Sequence, residues 1–443
     1  MEIRRIRYKN IYGWLSGDLT FSRGENFLVG INGCGKTTVL NLIRWILEPS
    51  LPDLCTLEHD SIKLDLEYNN DIYSIESQLL KDKHELKVVT KEPSRDFNTI
   101  STSLKANPKL MQGHADLHEL KSQYKYLSPE PQEVSTWNFL LEELPSPVFV
   151  GLEREIHENR LSSIRSRTGK ISQIRDNRSP VSKAVELMRD AFNSGRQLLV
   201  NINEELNRKV LELSFSGILR PEVSLEKINI NKIKQKITQL KMRFEKLSRE
   251  GIYSKALSSD NVRSAIIKYL EDLEALLSNH DKPDKIWIAL NQANFNRVSK
   301  MFDLFINHEK RVKEVQVEIE TFTSVINDFL KDSGKNIHFN ESTGVPYFST
   351  ASSNHNLFLS ELSSGETQIV ILLSYFAFLA KKRIPIIIDE PELSLHVEWQ
   401  KYFVEAVKKV MPSECQTIMA THSPEICGVD NVNVQAITLR SKK

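Results

Sequence analysis

Apolar and polar residues alternate with a period of two through IRRIRYKNI at the start of the chain, again in DLTF, and then in NFLVG ahead of a glycine-rich turn. Such alternation predicts short strands with one buried face. The apolar run TTVLNLIRWIL after the turn predicts a helix, so the opening reads as strand, loop, helix. Between residues 61 and 90, IKLDLEY, DIYSIESQLL and HELKVVT alternate around turn residues, which predicts antiparallel strands added to the opening sheet. Segment 91–146, rich in Pro, Ser, Asn and Gln, reads as irregular.

After the strand-like PVFVGL at 147–152 the pattern becomes helical and stays so, with few prolines, to about residue 330. In 230–247 the apolar residues Ile230, Ile233, Ile237, Leu240, Phe244 and Leu247 step by three and four. In 312–329, Val312, Val315, Ile319, Phe322, Ile326 and Phe329 do the same. Both stripes fit antiparallel helices packed together, as the core of a bundle or as a short coiled-coil arm. From about 336 the chain returns to α/β, with NIHFN, VPYF, SSGETQIVILLSYFAFLAKK, IPIIID, VEWQKYFVEAVKKV and CQTIMATH in succession. The expected organisation is a first lobe at 1–150, a mainly α-helical insertion at 151–335 and a second lobe at 336–443.

At 443 residues the chain exceeds one ordinary domain, which agrees with two lobes separated by a large insertion. Its 59 basic and 58 acidic residues leave global charge silent about nucleic acid. No apolar run is long enough for a signal peptide or a membrane span, so a cytoplasmic protein is expected. Cys34, Cys55, Cys415 and Cys427 form no CxxC pair and have no histidine at metal spacing, which argues against zinc and against a disulfide framework.

Gly30-Ile31-Asn32-Gly33-Cys34-Gly35-Lys36-Thr37 fits G-x-x-x-x-G-K-[ST] between a predicted strand and a predicted helix. Backbone N–H groups of such a loop turn inward on phosphates, so Asn32, Gly33, Cys34, Gly35, Lys36, Thr37 and Thr38 are expected to contact ATP. Lys36 would neutralise the β and γ oxygens, and the Thr37 hydroxyl would ligate Mg²⁺. Ile386-Ile387-Ile388-Asp389-Glu390 is a buried-strand run ending in two acids and reads as a Walker B motif. Asp389 would hold Mg²⁺ through water, and Glu390 would polarise the attacking water as general base. Leu362-Ser363-Ser364-Gly365-Glu366 opens an apolar helix about twenty residues earlier. Taken alone it is a good N-cap; at this spacing it is a nucleotide signature, with Ser363, Ser364, Gly365 and Glu366 facing phosphate. Ala420-Thr421-His422-Ser423-Pro424 follows an apolar strand and offers His422 as a switch group at the γ-phosphate.

With these motifs the chain resembles an ABC-type ATPase of the SMC-like branch, and the implied fold is an ABC-type head split in sequence by a helical insertion. In that family the signature of one protomer closes over the phosphate held by the P-loop of the other, so the resemblance implies a homodimeric ATP sandwich at minimum. Asp389-Glu390-Pro391-Glu392-Leu393-Ser394-Leu395-His396, with LSSGETQIVILL and ATHSPEI, is closer still to the OLD-like ATPases of bacterial anti-phage defence. Within these it most resembles the ATPase subunit of PARIS systems, with retron- and Septu-associated ATPases as neighbours. His396 stands where transporter-type relatives carry an aspartate, and that role is not transferred. Gln78, Gln112, Gln123 and Gln132 all lie at possible distances for a Q-loop glutamine, which stays unassigned. Phe149–Arg154 is a further candidate lining.

The resemblance implies a homo-oligomeric sensor that holds a separate TOPRIM-type nuclease effector until a phage-encoded trigger arrives. The chain runs only a short way past His422, so the effector is expected on another polypeptide. The alternative is an SMC-like repair or DNA-clamping ATPase; near-neutral charge, short helical stripes and the missing CxxC hook weigh against it. A transporter ATPase fits the long helical insertion poorly. Arg154, Arg160, Arg165, Arg167, Lys170, Arg175, Arg178 and Lys183 form a locally basic stretch without interleaved aromatics, readable as a solvated or partner-facing surface or as a DNA contact.

Overall fold

The computed structural model describes residues 1–90, 95–104, 115–125, 127, 129–151, 156–157, 179–215, 235, 237–239, 241–242, 260–278, 285–350, 353–379, 384–412, 415–428 and 433–437. They fall into two compact units: Met1–Ala191 with Thr321–Lys443, and Phe192–Glu320. The elements in chain order are β1 (Glu2–Ile11), β2 (Leu15–Thr20), β3 (Glu25–Val29), α1 (Lys36–Leu47), α2 (Leu51–Leu54), β4 (Ser61–Tyr68), β5 (Asp71–Leu79), β6 (Lys83–Thr90) and β7 (Ile100–Ser103). They continue with α3 (Ala115–Tyr124), α4 (Val134–Asn138), β8 (Val148–Val150), β9 (Ile156–His157), α5 (Pro180–Phe215), α6 (Asp260–Ser278) and α7 (Lys285–Leu330). Last come β10 (Lys335–Phe339), β11 (Pro346–Thr350), β12 (Ser353–Leu357), α8 (Ser364–Ser374), β13 (Ile386–Asp389), α9 (Val397–Val410), β14 (Thr417–Ala420), α10 (Pro424–Cys427) and β15 (Val434–Ala436).

In the first unit the alternating strands build an antiparallel sheet in the order β2-β1-β4-β5-β6-β7. Ile62, Leu64, Leu66, Tyr73, Ile75, Leu86 and Val88 are buried on its inner face. The other face is laced by ion pairs across strands, including Arg7 to Asp65 at 2.5 Å and Lys63 to Glu76 at 3.9 Å. A one-residue slip would exchange these two faces, so the pattern fixes the register. One polar chain does lie inside: His59 Nε2 is 3.1 Å from the Ser77 hydroxyl, which is 2.8 Å from His84 Nε2. Burial, with His59 beside it, pushes the His84 imidazole down to about 3, so His84 stays neutral.

The second sheet runs β15-β3-β14-β13-β8-β9 and is parallel except at the β8–β9 edge. Its central strand β13 is buried throughout, as a continuous apolar run should be when both faces are covered. Strand β3, from the start of the chain, pairs with β14 and β15 from its other end, so the two sequence segments complete one sheet.

Side-chain amides join the two sheets. The pairing of β1 with β4 shifts register between Ile3 and Arg5. There the buried Gln416 carboxamide accepts from the Ile3 N–H and donates to the Ile3 carbonyl, both at 2.8 Å. Asn26 Oδ1 accepts from the Ser22 N–H at 2.8 Å while its amide donates to the carbonyls of Gly24 and Thr417, both at 3.1 Å. Gln435 reaches Thr20 in the same way on the edge strand β2.

Segment 91–146 departs from expectation, because its described part holds β7, α3 and α4. Tertiary contacts outweigh its turn-like composition: Phe139 is fully buried, 4.7 Å from the Tyr73 and Phe97 ring centres. Glu133 accepts from the Ser101 N–H at 2.9 Å, and Thr136 donates to the Asn98 carbonyl at 2.6 Å.

In the second unit, α5 and α7 lie antiparallel, since Asn203 meets His308 at 2.8 Å and Gly195 adjoins Val315. Of the stripe along α7, Val312, Val315 and Ile319 are half-buried in this unit, and Phe322, Ile326 and Phe329 are buried in the first. Of the stripe at 230–247, Ile237 is buried and Ile230, Ile233, Leu240, Phe244 and Leu247 lie outside the described residues. So do Arg154–Arg178 of the basic stretch, apart from 156–157, and Leu152–Arg154 of the candidate lining. Among the described residues, no helix is long and apolar enough to cross a membrane.

Gln416→Ala leaves both Ile3 peptide groups buried and unpaired, and is expected to lower stability by about 2–4 kcal/mol. Urea unfolding checks this; a change below about 0.5 kcal/mol, the range of an ordinary surface substitution, would show that the amide weld is not structural.

Candidate functional site

Strand β3 ends at Val29 and the chain turns at once into α1. Gly35 sits at the helix N-cap with φ 99°, a left-handed conformation open to glycine, and a Cβ there would stand 2.6 Å from Leu15 Cδ2. No side chain caps this end of α1, and its first intrahelical bond runs from the Val39 N–H to the Gly35 carbonyl. The N–H groups of Lys36, Thr37 and Thr38 therefore have no intrahelical acceptor and present a positive dipole end. Asn32 and Gly33 are exposed around the turn, while Cys34 is fully buried beneath it.

Lys36 is buried and folded back. Its ammonium donates to the Gly30 carbonyl at 3.0 Å and to His422 Nε2 at 2.6 Å. His422 Nε2 also lies 3.8 Å from Glu390 Oε1. Thr37 hydrogen-bonds to Asp389, which is 1% exposed at the end of β13. Burial raises the Asp389 carboxyl above the ordinary range, the Thr37 bond and Lys36 pull it down, and Glu390 and Glu392 push it up. Glu390 takes φ 48°, left-handed for a non-glycine residue, at a cost of about 1–2 kcal/mol. That twist breaks the strand alternation just after Asp389, so the two consecutive acids leave β13 differently. Lys36, Thr37, Asp389, Glu390 and His422 thus meet in one place.

The Ser363 to Glu366 stretch forms the N-terminus of α8. Ser363 is the N-cap in a capping box with Glu366, whose carboxylate accepts from both the Ser363 N–H and its hydroxyl at 2.8 Å. Lys335 donates to both Glu366 oxygens, each at 2.8 Å. The Glu366 carboxylate is therefore spent inside the fold, while Ser363 and Ser364 stay exposed at the helix start. A Cβ on Gly365 would lie 3.0 Å from the Ser394 carbonyl, in the turn after β13. His396 caps α9, its Nδ1 accepting from the Glu398 N–H at 3.3 Å. Gln78 and Gln132 turn to Glu76 and Glu130, each at 2.8 Å.

Two contributors escaped sequence reasoning. Lys335 stands at the last position of the expected helical insertion, and Glu392 lies within the run 389–396, where the sequence gives it no role. Glu392 Oε1 accepts from the backbone N–H of His422 at 2.5 Å and of Ser423 at 3.2 Å. The repeated acid in Asp389-Glu390-Pro391-Glu392 was the available signal.

Compared with known protein families, residues 1–427 match the AAA ATPase domain. The chain belongs to that AAA ATPase domain family. Among solved structures it is similar to the Smc head domain with an extended coiled coil, bound to the C-terminal domain of ScpA, from Pyrococcus furiosus. That similarity is 12% identity and a TM-score of 0.40, covering 99% of this chain and 94% of that chain. No curated protein matches it.

The ligand of an AAA ATPase domain is ATP with Mg²⁺, and the donor set fits. Thr37 and Asp389 bring hard oxygens together beside the uncapped amides of α1, the chemistry Mg²⁺ prefers.

The Lys335–Glu366 pair sets a pH dependence. Burial would raise the Glu366 carboxyl, but hydrogen bonds from Lys335, Ser333 and Ser363 outweigh it and hold the group at about 2. A depressed carboxyl stabilises the fold above its unfolded value, near 4.5, and that contribution is lost as pH falls through about 2. Lys335→Met strands the charge and is expected to cost about 3–5 kcal/mol at pH 7, shrinking as acid protonates Glu366. Unfolding measured from pH 7 down to pH 2 checks this; a deficit that does not shrink between pH 4.5 and 2 would contradict the pairing.

Proposed function

We propose that this AAA ATPase domain protein binds MgATP on the loop Gly30–Thr38 and hydrolyses it, with Glu390 as general base and His422 as the group that senses the γ-phosphate. The observation that carries this reading is the meeting of Lys36 with His422 at 2.6 Å and of His422 with Glu390 at 3.8 Å, from opposite ends of the chain. In this state Lys36 is satisfied by the Gly30 carbonyl and by His422. Phosphate oxygens would compete for that ammonium, so nucleotide entry releases His422 toward the same phosphate. Thr37 and Asp389 would hold Mg²⁺, which supplies charge neutralisation at the phosphates. The remaining work is positioning: Glu390 holds the attacking water and accepts its proton, and Lys36 and His422 offset charge on the transferred group.

The finer reading is a composite site in which Ser363, Ser364 and Gly365 of one copy close over the phosphates held by another. Exposure of Ser363 and Ser364 at an outward helix N-terminus supports it. The motif resemblance to OLD-like and PARIS ATPases extends it to a cytoplasmic homo-oligomeric sensor in anti-phage defence. That assembly would hold a separate TOPRIM-type nuclease until a phage-encoded trigger appears.

Lys36→Ala should weaken ATP binding by about 100-fold or more, near 3 kcal/mol. Glu390→Gln should keep binding within a few-fold while slowing turnover at least about 100-fold. Calorimetry and phosphate release measure the two; rapid turnover by the Gln variant would remove Glu390 from the base role. Native mass analysis of the Gln variant with ATP then tests the assembly. A homo-oligomer carrying a nuclease-sized second polypeptide supports the defence reading, and a bare dimer that captures duplex DNA only with ATP contradicts it.

A further inference from the structure

His422 lies two positions past Ala420, the last residue of β14, in a stretch outside the sheet, so something other than the sheet must place its imidazole. Thr421 is still tied to the sheet, its N–H donating to the Leu28 carbonyl at 3.0 Å. The next N–H, that of His422, finds its acceptor thirty positions earlier in the chain, at Glu392 Oε1, 2.5 Å away. The Ser423 N–H donates to the same oxygen at 3.2 Å. Glu392 Oε2 is buried without a hydrogen-bond partner among the described residues. The two amides are therefore the hydrogen-bonding compensation that this carboxylate receives there, and the contact is costly to loosen.

Glu392 is itself fixed from both sides. The Glu390 N–H donates to the Ala420 carbonyl at 2.8 Å, knitting the ends of β13 and β14 together. The turn beyond is closed by bonds from Leu393 to Glu390 at 3.1 Å and from Leu395 to Glu392 at 2.9 Å. A second clamp runs from the Ser423 hydroxyl to Gln400 Oε1 at 2.7 Å, with the Gln400 amide on the Leu395 carbonyl at 3.0 Å. The turn that starts with Glu390 thus grips the loop that carries His422, and both are held at the spacing where Glu390 Oε1 and His422 Nε2 stand 3.8 Å apart.

We infer that Glu392 is a positioning residue for hydrolysis: its carboxylate holds the His422 backbone so that the imidazole and Glu390 address the same phosphate. This rests on the hydrolytic reading of the site. Glu392 binds backbone amides and contacts neither the P-loop helix end nor Lys36 in any described hydrogen bond. Its removal should therefore leave nucleotide affinity largely intact and fall on turnover.

The test pairs single-turnover ATP hydrolysis and ATP affinity with the NMR signals of labelled histidine imidazoles in the nucleotide-free protein. Glu392→Ala is expected to slow the single-turnover rate roughly 10- to 100-fold, the cost of a small misplacement, with affinity changed less than about threefold. Glu392→Gln, which keeps an acceptor oxygen, should recover most of the rate; if the Ala variant does not fold, Glu392→Ser, too short to reach the His422 and Ser423 amides, takes its place with the same expected loss. In a His422→Ala background the Glu392 substitution should add no further loss. The His422 imidazole signal should move in Glu392→Ala while those of His59 and His84 stay in place. Multiplying losses in the double variant, or an unmoved His422 signal, would overturn the positioning role. A parent chain that does not hydrolyse ATP would instead defeat the hydrolytic reading, and the His422 signal would still decide whether Glu392 places that ring.

Discussion

Strand β3 lies parallel to β14 with Phe27 opposite Met419 and Leu28 opposite Ala420, and the site depends on that pairing. It sets the end of β3, where the P-loop begins, beside the end of β14, where His422 follows. Lys36 and His422 are 386 positions apart in sequence yet meet at 2.6 Å because those two strand ends coincide. Strand β13 lies on the far side of β14 in the same parallel register, Asp389 opposite Ala420, and so delivers the acids to the same edge. A register slip of one residue on any of the three would turn a functional side chain to the opposite face.

Buried amides reinforce that constraint. Gln416 directly precedes β14 and is bonded to Ile3 of the neighbouring sheet, while Asn26 within β3 bonds back to Thr417. The strands that position the site are thus fixed by hydrogen bonds as well as by apolar packing. The turn from Glu390 to His396 continues outward from this frame, touching the His422 loop through Glu392 and the start of α8 through the Ser394 carbonyl near Gly365. Through Glu366 and Lys335 the start of α8 is tied in turn to the first residue of β10, close after α7.

Periodicity revealed the elements that bury one face. The strands at 61–90, the run Ile386–Asp389 and the stripe Val312–Phe329 carry their burial in their spacing. The loop at 30–37 stood out in the sequence because a phosphate-binding motif has glycines and a lysine at fixed offsets. What stayed hidden was held by long-range polar contacts. Gln416, Lys335 and Glu392 each act through partners far away in sequence, and no local pattern encodes that. Segment 91–146 was misread for a related reason: its order comes from Phe139 packing on Tyr73 and from Glu133 and Thr136 bonding to neighbouring backbone, not from its own composition. In the Ser363–Glu366 stretch the structure shows the capping reading, with Glu366 serving the cap and the serines left exposed.

The account turns on Lys36 exchanging His422 for phosphate, and the most direct measurement is a structure determined with Mg²⁺ and a non-hydrolysable ATP analogue. It should show the Lys36 ammonium withdrawn from the Gly30 carbonyl and facing phosphate oxygens, with Thr37 and Asp389 toward the cation and His422 still held by Glu392. Nucleotide bound elsewhere, or Lys36 still resting on His422 with the analogue in place, would contradict it.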